Sequence, residues 1–225
     1  MRDLVLGFDT SNYRTSVAAV TLAGQIIVNS RMLLPVKSGE RGLRQSDALY
    51  LHLKQIARIT APLREAVQDG RIVAVGASCM PRNRSDSYMP VFEVGKAVGK
   101  TIADTLNVPF FQTDHQSGHV RAAAYGTDLE NEARFMAFHL SGGTMELLKW
   151  EDGCAEILGR TLDLNAGQLV DRVGVAMGLP FPAGPELEKM ALRGTARGLL
   201  GVSMENGLPS ERGGKPNSTM AERWE

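Results

Sequence analysis

Two widely separated stretches of this chain share one outline: an apolar strand, a tight polar turn and a second strand. In the first, Leu4–Val5–Leu6–Gly7–Phe8–Asp9 runs into the turn Thr10–Ser11–Asn12–Tyr13–Arg14–Thr15–Ser16, and Val17–Ala18–Ala19–Val20 returns. In the second, Phe135 to Leu140 meets Ser141–Gly142–Gly143–Thr144, and Met145 to Trp150 returns. A short turn between two strands makes them neighbours in one sheet, and the helical segments after each set must cover that sheet. The chain is therefore expected to be an α/β protein of two similarly built lobes, over 1–108 and 109–200. Residue identity between the two copies is slight, so what repeats is architecture. From 201 to 225 the sequence is turn-rich and poor in apolar residues, which predicts an exposed or disordered tail.

Between these stretches the elements follow from periodicity and breakers. A third strand is expected from Gln25 to Leu34, then a charged, glycine-bearing loop from Lys37 to Arg44. Helical spacing runs from Ser46 to Gln68, with Leu49, Leu53, Ile56, Leu63 and Val67 as the apolar stripe. Pro62 either kinks that helix or starts a new one, and His52 is expected at a surface or groove. Ile72–Ala77 is a buried strand by composition, and a helix is expected from Val91 to Leu106. Asp114 is placed to cap a helix carrying His115 and His119. Asp152–Gly153 is a hairpin turn. The segment from Asn165 to Gly178 reads as a helix with Leu169, Val173 and Met177 as its apolar stripe, Asp171 off that stripe as a solvent- or ligand-facing group, and Gly178 closing it. Pro185 opens a last helix.

Charge and cysteine content narrow the function classes. Twenty-five basic and twenty-five acidic residues cancel, so no strong whole-chain attraction to nucleic acid or membrane is expected, although a local patch escapes that test. Cys79 and Cys154 lack ligand-like spacing and suit a reducing compartment. No apolar run is long enough to cross a bilayer and no hydrophobic leader is evident. A cytoplasmic protein is expected.

Four places carry side chains suited to chemistry. Two of the four histidines, His115 and His119, lie one helical turn apart on one face. That spacing supplies two ligands of a transition metal, or else one capping and one packing residue. The turn holding Asp9 and Ser11 is a plausible anion clasp or merely a turn. The polar loop bearing Arg82 and Arg84 follows a strand, where α/β folds commonly place their sites. The two arginines are either phosphate contacts or solvated. Gly184, just ahead of a helix, lets a ribose or phosphate approach the backbone or simply turns the chain.

Taken together, four segments resemble the tRNA N6-adenosine threonylcarbamoyltransferase family, formerly labelled glycoprotease or O-sialoglycoprotein endopeptidase. Gly7–Phe8–Asp9–Thr10–Ser11 looks like its Gly-Ile-Glu-Thr-Ser start. Asp114–His115–Gln116–Ser117–Gly118–His119 looks like its Asn-His-x-x-Gly-His metal motif, and Leu140–Ser141–Gly142–Gly143–Thr144 like its Val-Ser-Gly-Gly-His loop. The longest likeness runs from Gly159 to Ala191, through Thr161–Leu162–Asp163, Ala166–Gly167, Asp171 and Leu179–Pro180–Phe181–Pro182–Ala183–Gly184–Pro185.

The resemblance implies an actin-like ATPase fold of two ribonuclease-H-like lobes. It implies metal-assisted transfer of a threonylcarbamoyl group from threonylcarbamoyl-AMP to N6 of adenosine-37 in tRNA. His115 and His119 would bind one iron or zinc ion, with Asp9 and Ser11 as catalytic positions. Ser141, Gly142, Gly143, Thr144, Asp171 and Gly184 would hold the adenine nucleotide, threonylcarbamoyl-AMP or ATP. Arg82, Arg84, Lys96 and Lys100 are candidate tRNA contacts. Expected partners are tRNA and a homologous pathway subunit, or a second copy, joined through the first lobe.

The sequence also departs from the family. Asp9 replaces a glutamate, and Asn12–Tyr13–Arg14–Thr15 stands for Cys-Asp-Glu-Thr. Met80–Pro81–Arg82–Asn83–Arg84 replaces a Gly-Pro-Gly-Leu loop, and Thr144 replaces a histidine. His52 is a loose echo of a Pro-Glu-x-x-x-Arg-x-His pattern. Nothing matches the family's late asparagine and third metal-ligating aspartate, so an incomplete second lobe is expected. Other readings are a catalytically silent paralogue acting as a partner subunit, an ATP-binding kinase-like protein, and a metalloprotease. The last lacks a His-Glu-x-x-His glutamate, since Gln116 follows His115.

Overall fold

The computed structural model describes residues 1–11, 13–35 and 43–194, and the backbone of 204–205 and 208–209. Most of the loop from Lys37 to Arg44, and the 201–225 tail apart from the short Met204–Glu205/Leu208–Pro209 pairing, lie outside the described residues.

The first sheet follows from alternation. In β1 (Arg2–Asp9) every second residue, Leu4, Leu6 and Phe8, is buried, the period of two that one covered sheet face requires. β2 (Arg14–Thr21) and β3 (Ile26–Leu33) pair antiparallel with their predecessors, Phe8 opposite Val17 and Val17 opposite Ser30. β4 (Gly70–Met80) and β5 (Phe110–Asp114) then add in parallel on the other side of β1, giving the order β3-β2-β1-β4-β5. This is the ribonuclease-H-like arrangement expected of a first lobe.

Helices α1 (Gln45–Ile59), α2 (Ala61–Gln68) and α3 (Phe92–Leu106) cover it. α1 and α2 meet at Thr60, with Pro62 in the first turn of α2, where its missing N–H and fixed φ cost nothing; a new helix starts there. The core joins Leu6, Phe8 and Val17 of the sheet to Ile56, Ile59 and Leu63 of these helices and to Val94 and Ala103 of α3. Gly99 lets α3 approach closely, because a Cβ there would lie 3.0 Å from Phe110 Cε2 and 3.4 Å from Phe8 Cδ2.

The α1 stripe differs from its sequence pattern. Leu53 is exposed, whereas His52 and Gln55 are buried. His52 is thus not a surface or groove histidine. Its Nδ1 lies 2.8 Å from Thr15 Oγ1, which donates to Gln55 Oε1 at 2.9 Å, and Gln55 Nε2 donates to the Leu33 carbonyl at 2.9 Å. Because the threonine hydroxyl spends its one proton on Gln55, His52 Nδ1 must be the donor toward it. Polar groups can enter this core because each finds a partner.

After β5 comes α4 (His115–Ala124), capped as expected by Asp114, whose side chain accepts from the Ser117 N–H at 2.8 Å. The chain divides into two compact units, Met1–Ala133 with Trp150–Ala155, and Arg134–Lys149 with Glu156–Glu225. The anticipated lobe boundary after residue 108 falls inside the first unit, because β5 completes the first sheet.

Apart from residues 150–155, which belong to the first unit, the second unit is built on β6 (Arg134–Leu140), β7 (Met145–Glu151) and β8 (Cys154–Arg160), ordered β6-β7-β8, with α5 (Ala166–Ala176) and α6 (Gly184–Arg193). Asp152 and Gly153 both have positive φ (51° and 81°), as a two-residue hairpin turn demands. Gly178, at φ 82°, follows the end of α5 as expected. The predicted α5 stripe is not buried here: Leu169, Val173 and Met177 are 54%, 45% and 54% exposed. The buried α5 residue is Gly174, where a Cβ would sit 2.2 Å from Ala183 Cβ. α5 therefore meets the start of α6 through its glycine edge.

Replacing Thr15 by valine keeps the shape but leaves the His52 N–H and Gln55 carbonyl without their shared hydroxyl. The expected loss is about 1–3 kcal/mol of stability, read as a lower urea midpoint at unchanged slope.

Candidate functional site

Three parallel strands end side by side in the first unit. Phe8 pairs with Ala77 across β1–β4, and Ser78 pairs with Thr113 across β4–β5. That register lines up the residues at the carboxyl ends: Asp9 on β1, Ser78 on β4, and His115 directly after β5. Sites in open α/β sheets form at this edge. The turn after Asp9 is pinned by Thr10, whose hydroxyl donates to the Val91 carbonyl at 2.7 Å and accepts from the Gly95 N–H at 3.1 Å. The end of β1 is thereby tied to the first turn of α3.

Within this edge, His115 Nδ1 lies 2.8 Å from Asp9 Oδ2, and the Ser11 N–H donates to Asp9 Oδ1 at 2.8 Å. One helical turn on, His119 Nε2 faces His115 Nε2 at 2.9 Å, with ring centroids 4.3 Å apart. Phe92 packs beside the His115 ring at 6.0 Å. Burial pushes the Asp9 carboxyl up, but the hydrogen bond and charge of His115, aided by Ser11 and Ser78, outweigh it and bring the group down to about 2. A carboxyl that acidic is a poor proton acceptor near neutrality, so its chemistry here is to hold a donor.

The imidazole pair suits a metal. Two nitrogen bonds of about 2.0–2.1 Å meeting at about 90–110° span about 2.9–3.4 Å, and the observed 2.9 Å separation falls in that range. A carboxylate on the far ring nitrogen is the usual support of a metal-bound histidine. Among the described residues, no group of three or more His, Cys, Asp or Glu side chains is placed to hold an ion. The pair therefore fits as two ligands of a site.

The second unit carries the remaining candidates. The Ser141–Thr144 turn closes through the Ser141 N–H donating to Thr144 O at 2.7 Å, and its Gly143 N–H donates to Ser141 Oγ at 3.2 Å. The start of α5 leans on it. The Gly167 N–H donates to Ser141 O at 3.1 Å, and a Cβ on Gly167 would lie 2.5 Å from Gly142 N. On the other side, a Cβ added at Gly142 or Gly143 meets nothing within 4 Å, so a ligand can approach that backbone. Asp171 Oδ1 accepts from the Ala183 N–H at 2.8 Å, which ties α5 to the turn before α6. Part of the carboxylate expected at a ribose is thus engaged in holding the chain, and Oδ2 is left for a ligand. Gly184 begins α6 with only Val170 Cγ1, at 3.9 Å, near an added Cβ.

The candidate basic patch is largely compensated. Arg84 pairs with Asp86 at 3.0 Å, Lys96 with Glu93 at 3.4 Å, and Lys100 with Asp104 at 2.7 Å. Arg84 holds the exposed Asp86 carboxyl below its ordinary range. Arg82 donates its backbone N–H to Ser87 Oγ. Neither cysteine is in a disulfide; Cys79 is buried at the end of β4, and burial raises its thiol. Sequence reasoning passed over Ser78, Thr10 and Phe92. Ser78 had a signal, a polar residue closing the apolar run Ile72–Ala77 at a strand's carboxyl end.

This site sits on a fold with known relatives. The Lmo2764 protein of Listeria monocytogenes superposes with a TM-score of 0.51 at 12% identity, covering 86% of this chain and 72% of its own. At that identity the likeness concerns the fold alone, which is that of the actin-like ATPases. The sequence profile of tRNA N6-adenosine threonylcarbamoyltransferase (TsaD) matches residues 89–210, more than half of the chain. The chain belongs to that family. The enzyme of that name from Oenococcus oeni is 34% identical over 201 residues, covering 86% of this chain and 57% of its own. Its counterpart from Enterococcus faecalis is 31% identical over 197 residues, covering 86% and 55%. The chain thus spans little more than half the length of these relatives.

Asp9 gives the fold a testable pH dependence. Its folded carboxyl, near 2, lies below the ordinary 3.8. Its contribution is therefore complete above about pH 4 and is lost as pH falls through about 2. Urea midpoints of the wild type and Asp9→Asn should differ most near pH 5. The gap should narrow by about 1–2 kcal/mol toward pH 2.

Proposed function

We propose that this chain takes part in threonylcarbamoylation of tRNA, transferring the group from threonylcarbamoyl-AMP to N6 of adenosine-37 with one bound iron or zinc ion. The observation that carries the reading is the His115–His119 pair, its Nε2 atoms 2.9 Å apart and backed by Asp9, in a chain of this family. In the transfer, the N6 amine bonds to the carbamoyl carbon, the bond from that carbon to the phosphate oxygen breaks, AMP leaves with the electron pair, and the proton lost from N6 passes to the departing phosphate or to water.

His115 and His119 would hold the ion, which supplies Lewis-acid stabilisation of charge on the carbonyl or carboxylate oxygens of the donor. Asp9 keeps the His115 ring oriented. In the second unit, the open side of Gly142 and Gly143 suits a phosphate or carbamoyl oxygen. Asp171 Oδ2 suits a ribose hydroxyl, and Gly184 leaves the backbone approachable beside it. Arg82, Arg84, Lys96 and Lys100 remain the proposed tRNA contacts. The carboxylate partners of Arg84, Lys96 and Lys100 are exposed, and such pairs are worth little, so phosphate can replace them.

Metal content tests this directly. Protein purified without oxygen should carry close to one iron or zinc per chain, and His115→Ala/His119→Ala essentially none. A wild type that stays metal-free when both metals are supplied overturns the reading. For the nucleotide, Asp171→Asn keeps an acceptor for Ala183 but removes the charge. It should weaken AMP binding by about 1–3 kcal/mol in a calorimetric titration without changing the melting temperature. Unchanged affinity removes Asp171 from the site.

A further inference from the structure

Two arginines with no part in the site described above share a sheet face with it. Asp9 pairs with Ser16 across β1–β2, and Ser16 pairs with Arg31 across β2–β3. Directly opposed residues project from one face, so Asp9, Ser16 and Arg31 form a single row. Arg31 is then two strands, or about 10 Å, from Asp9. Arg14 lies two residues before Ser16 on β2 and therefore on the same face, diagonal to Arg31 at about 7–8 Å. The other face of β2 carries Thr15, Val17 and Ala19, which are buried. His115, directly after β5, meets Asp9 from one side of β1. The arginines flank it from the other.

Both side chains are exposed. Among the described residues, no Asp or Glu carboxylate lies within ion-pair distance of either guanidinium, whereas Arg84, Lys96 and Lys100 are each paired. A cation on an edge strand blunts unwanted strand pairing, but that accounts for Arg31 alone, since β3 is the edge and β2 is interior. Beside Arg14 stands Tyr13, 44% exposed. Its carbonyl accepts from the Leu34 N–H at 2.8 Å, which holds this turn against the end of β3. Guanidinium forks match phosphate oxygens, and exposed aromatic rings stack on unpaired bases. Small anions are held in concave sites. Two cations on an open sheet edge suit the backbone of a polymer instead.

We infer that Arg14 and Arg31, with Tyr13 beside them, bind the phosphate backbone of RNA on the sheet face that ends at Asp9. The choice of RNA as the polyanion rests on the reading under Proposed function. The surface is separate from the α3 patch, and it lies next to the histidine pair, where an RNA base has to be brought for transfer.

The test titrates the full chain into a fluorescein-labelled RNA stem-loop with an adenosine in its loop, followed by anisotropy at several salt concentrations. Arg14→Gln/Arg31→Gln should bind about 10–100-fold more weakly near 0.1 M salt, with a salt slope smaller by about 1–2. A charge-matched control, Arg58→Gln/Arg64→Gln on α1 and α2, should change neither by more than about 3-fold. Thermal melts establish that each variant is folded. Equal losses in both double variants reduce the effect to net charge and overturn the inference, as does a wild type that binds no RNA at low salt. Unchanged RNA binding with weakened AMP binding in Arg14→Gln/Arg31→Gln makes this a small-anion site, which also overturns it. Metal content of the same preparations separates the two readings. A chain that loses RNA binding in Arg14→Gln/Arg31→Gln but holds no iron or zinc upholds the RNA surface and defeats the metal-assisted transfer.

Discussion

The parallel pairing of β1, β4 and β5 is the constraint on which the candidate metal site depends. A parallel ladder fixes which residues end level with one another. Here it sets Phe8 beside Ala77 and Ser78 beside Thr113, so that Asp9, Ser78 and His115 emerge together. No local signal brings residues 9 and 115 to a 2.8 Å contact. α3 contributes by closing over β1 through Gly95 and Gly99, and Thr10 ties the turn after Asp9 to that helix. A carboxylate, a hydroxyl and two imidazoles are thus placed by sheet register and one close helix contact.

The second unit uses a different device. Its Ser-Gly-Gly-Thr turn keeps its shape because α5 begins against it, and only a glycine at 167 permits that approach. A second glycine, Gly174, lets α5 meet Ala183, while Asp171 bonds to the backbone N–H of the same residue. One acidic side chain therefore both braces the α5–α6 connection and remains available, through its other oxygen, to a hydroxyl ligand.

Much of the fold was legible because it rests on local chemistry. An apolar run marked β1, Asp114 announced the α4 cap, Asp152–Gly153 the hairpin and Gly178 the end of α5. The same local reasoning failed where tertiary contacts set burial. α1 buries His52 and Gln55 in place of Leu53, since Thr15 on β2 and the Leu33 carbonyl supply partners that a helical wheel cannot show. Leu169, Val173 and Met177 form a proper helical stripe, yet α5 packs through Gly174 and leaves them exposed. Arg84, Lys96 and Lys100 read as cations by composition and turn out to be paired within their own segments.

By itself the sequence determined the strand–turn–strand outlines, the helix that puts His115 and His119 on one face, and the glycine-rich turn, because each depends on neighbours within a few residues. Only the tertiary structure decided that Asp9 supports His115 and that Ser78 ends level with that carboxylate. It also decided that His52 belongs to the core. Those outcomes depend on which strands lie side by side and in what register, a property of the assembled sheet that no short stretch of chain encodes.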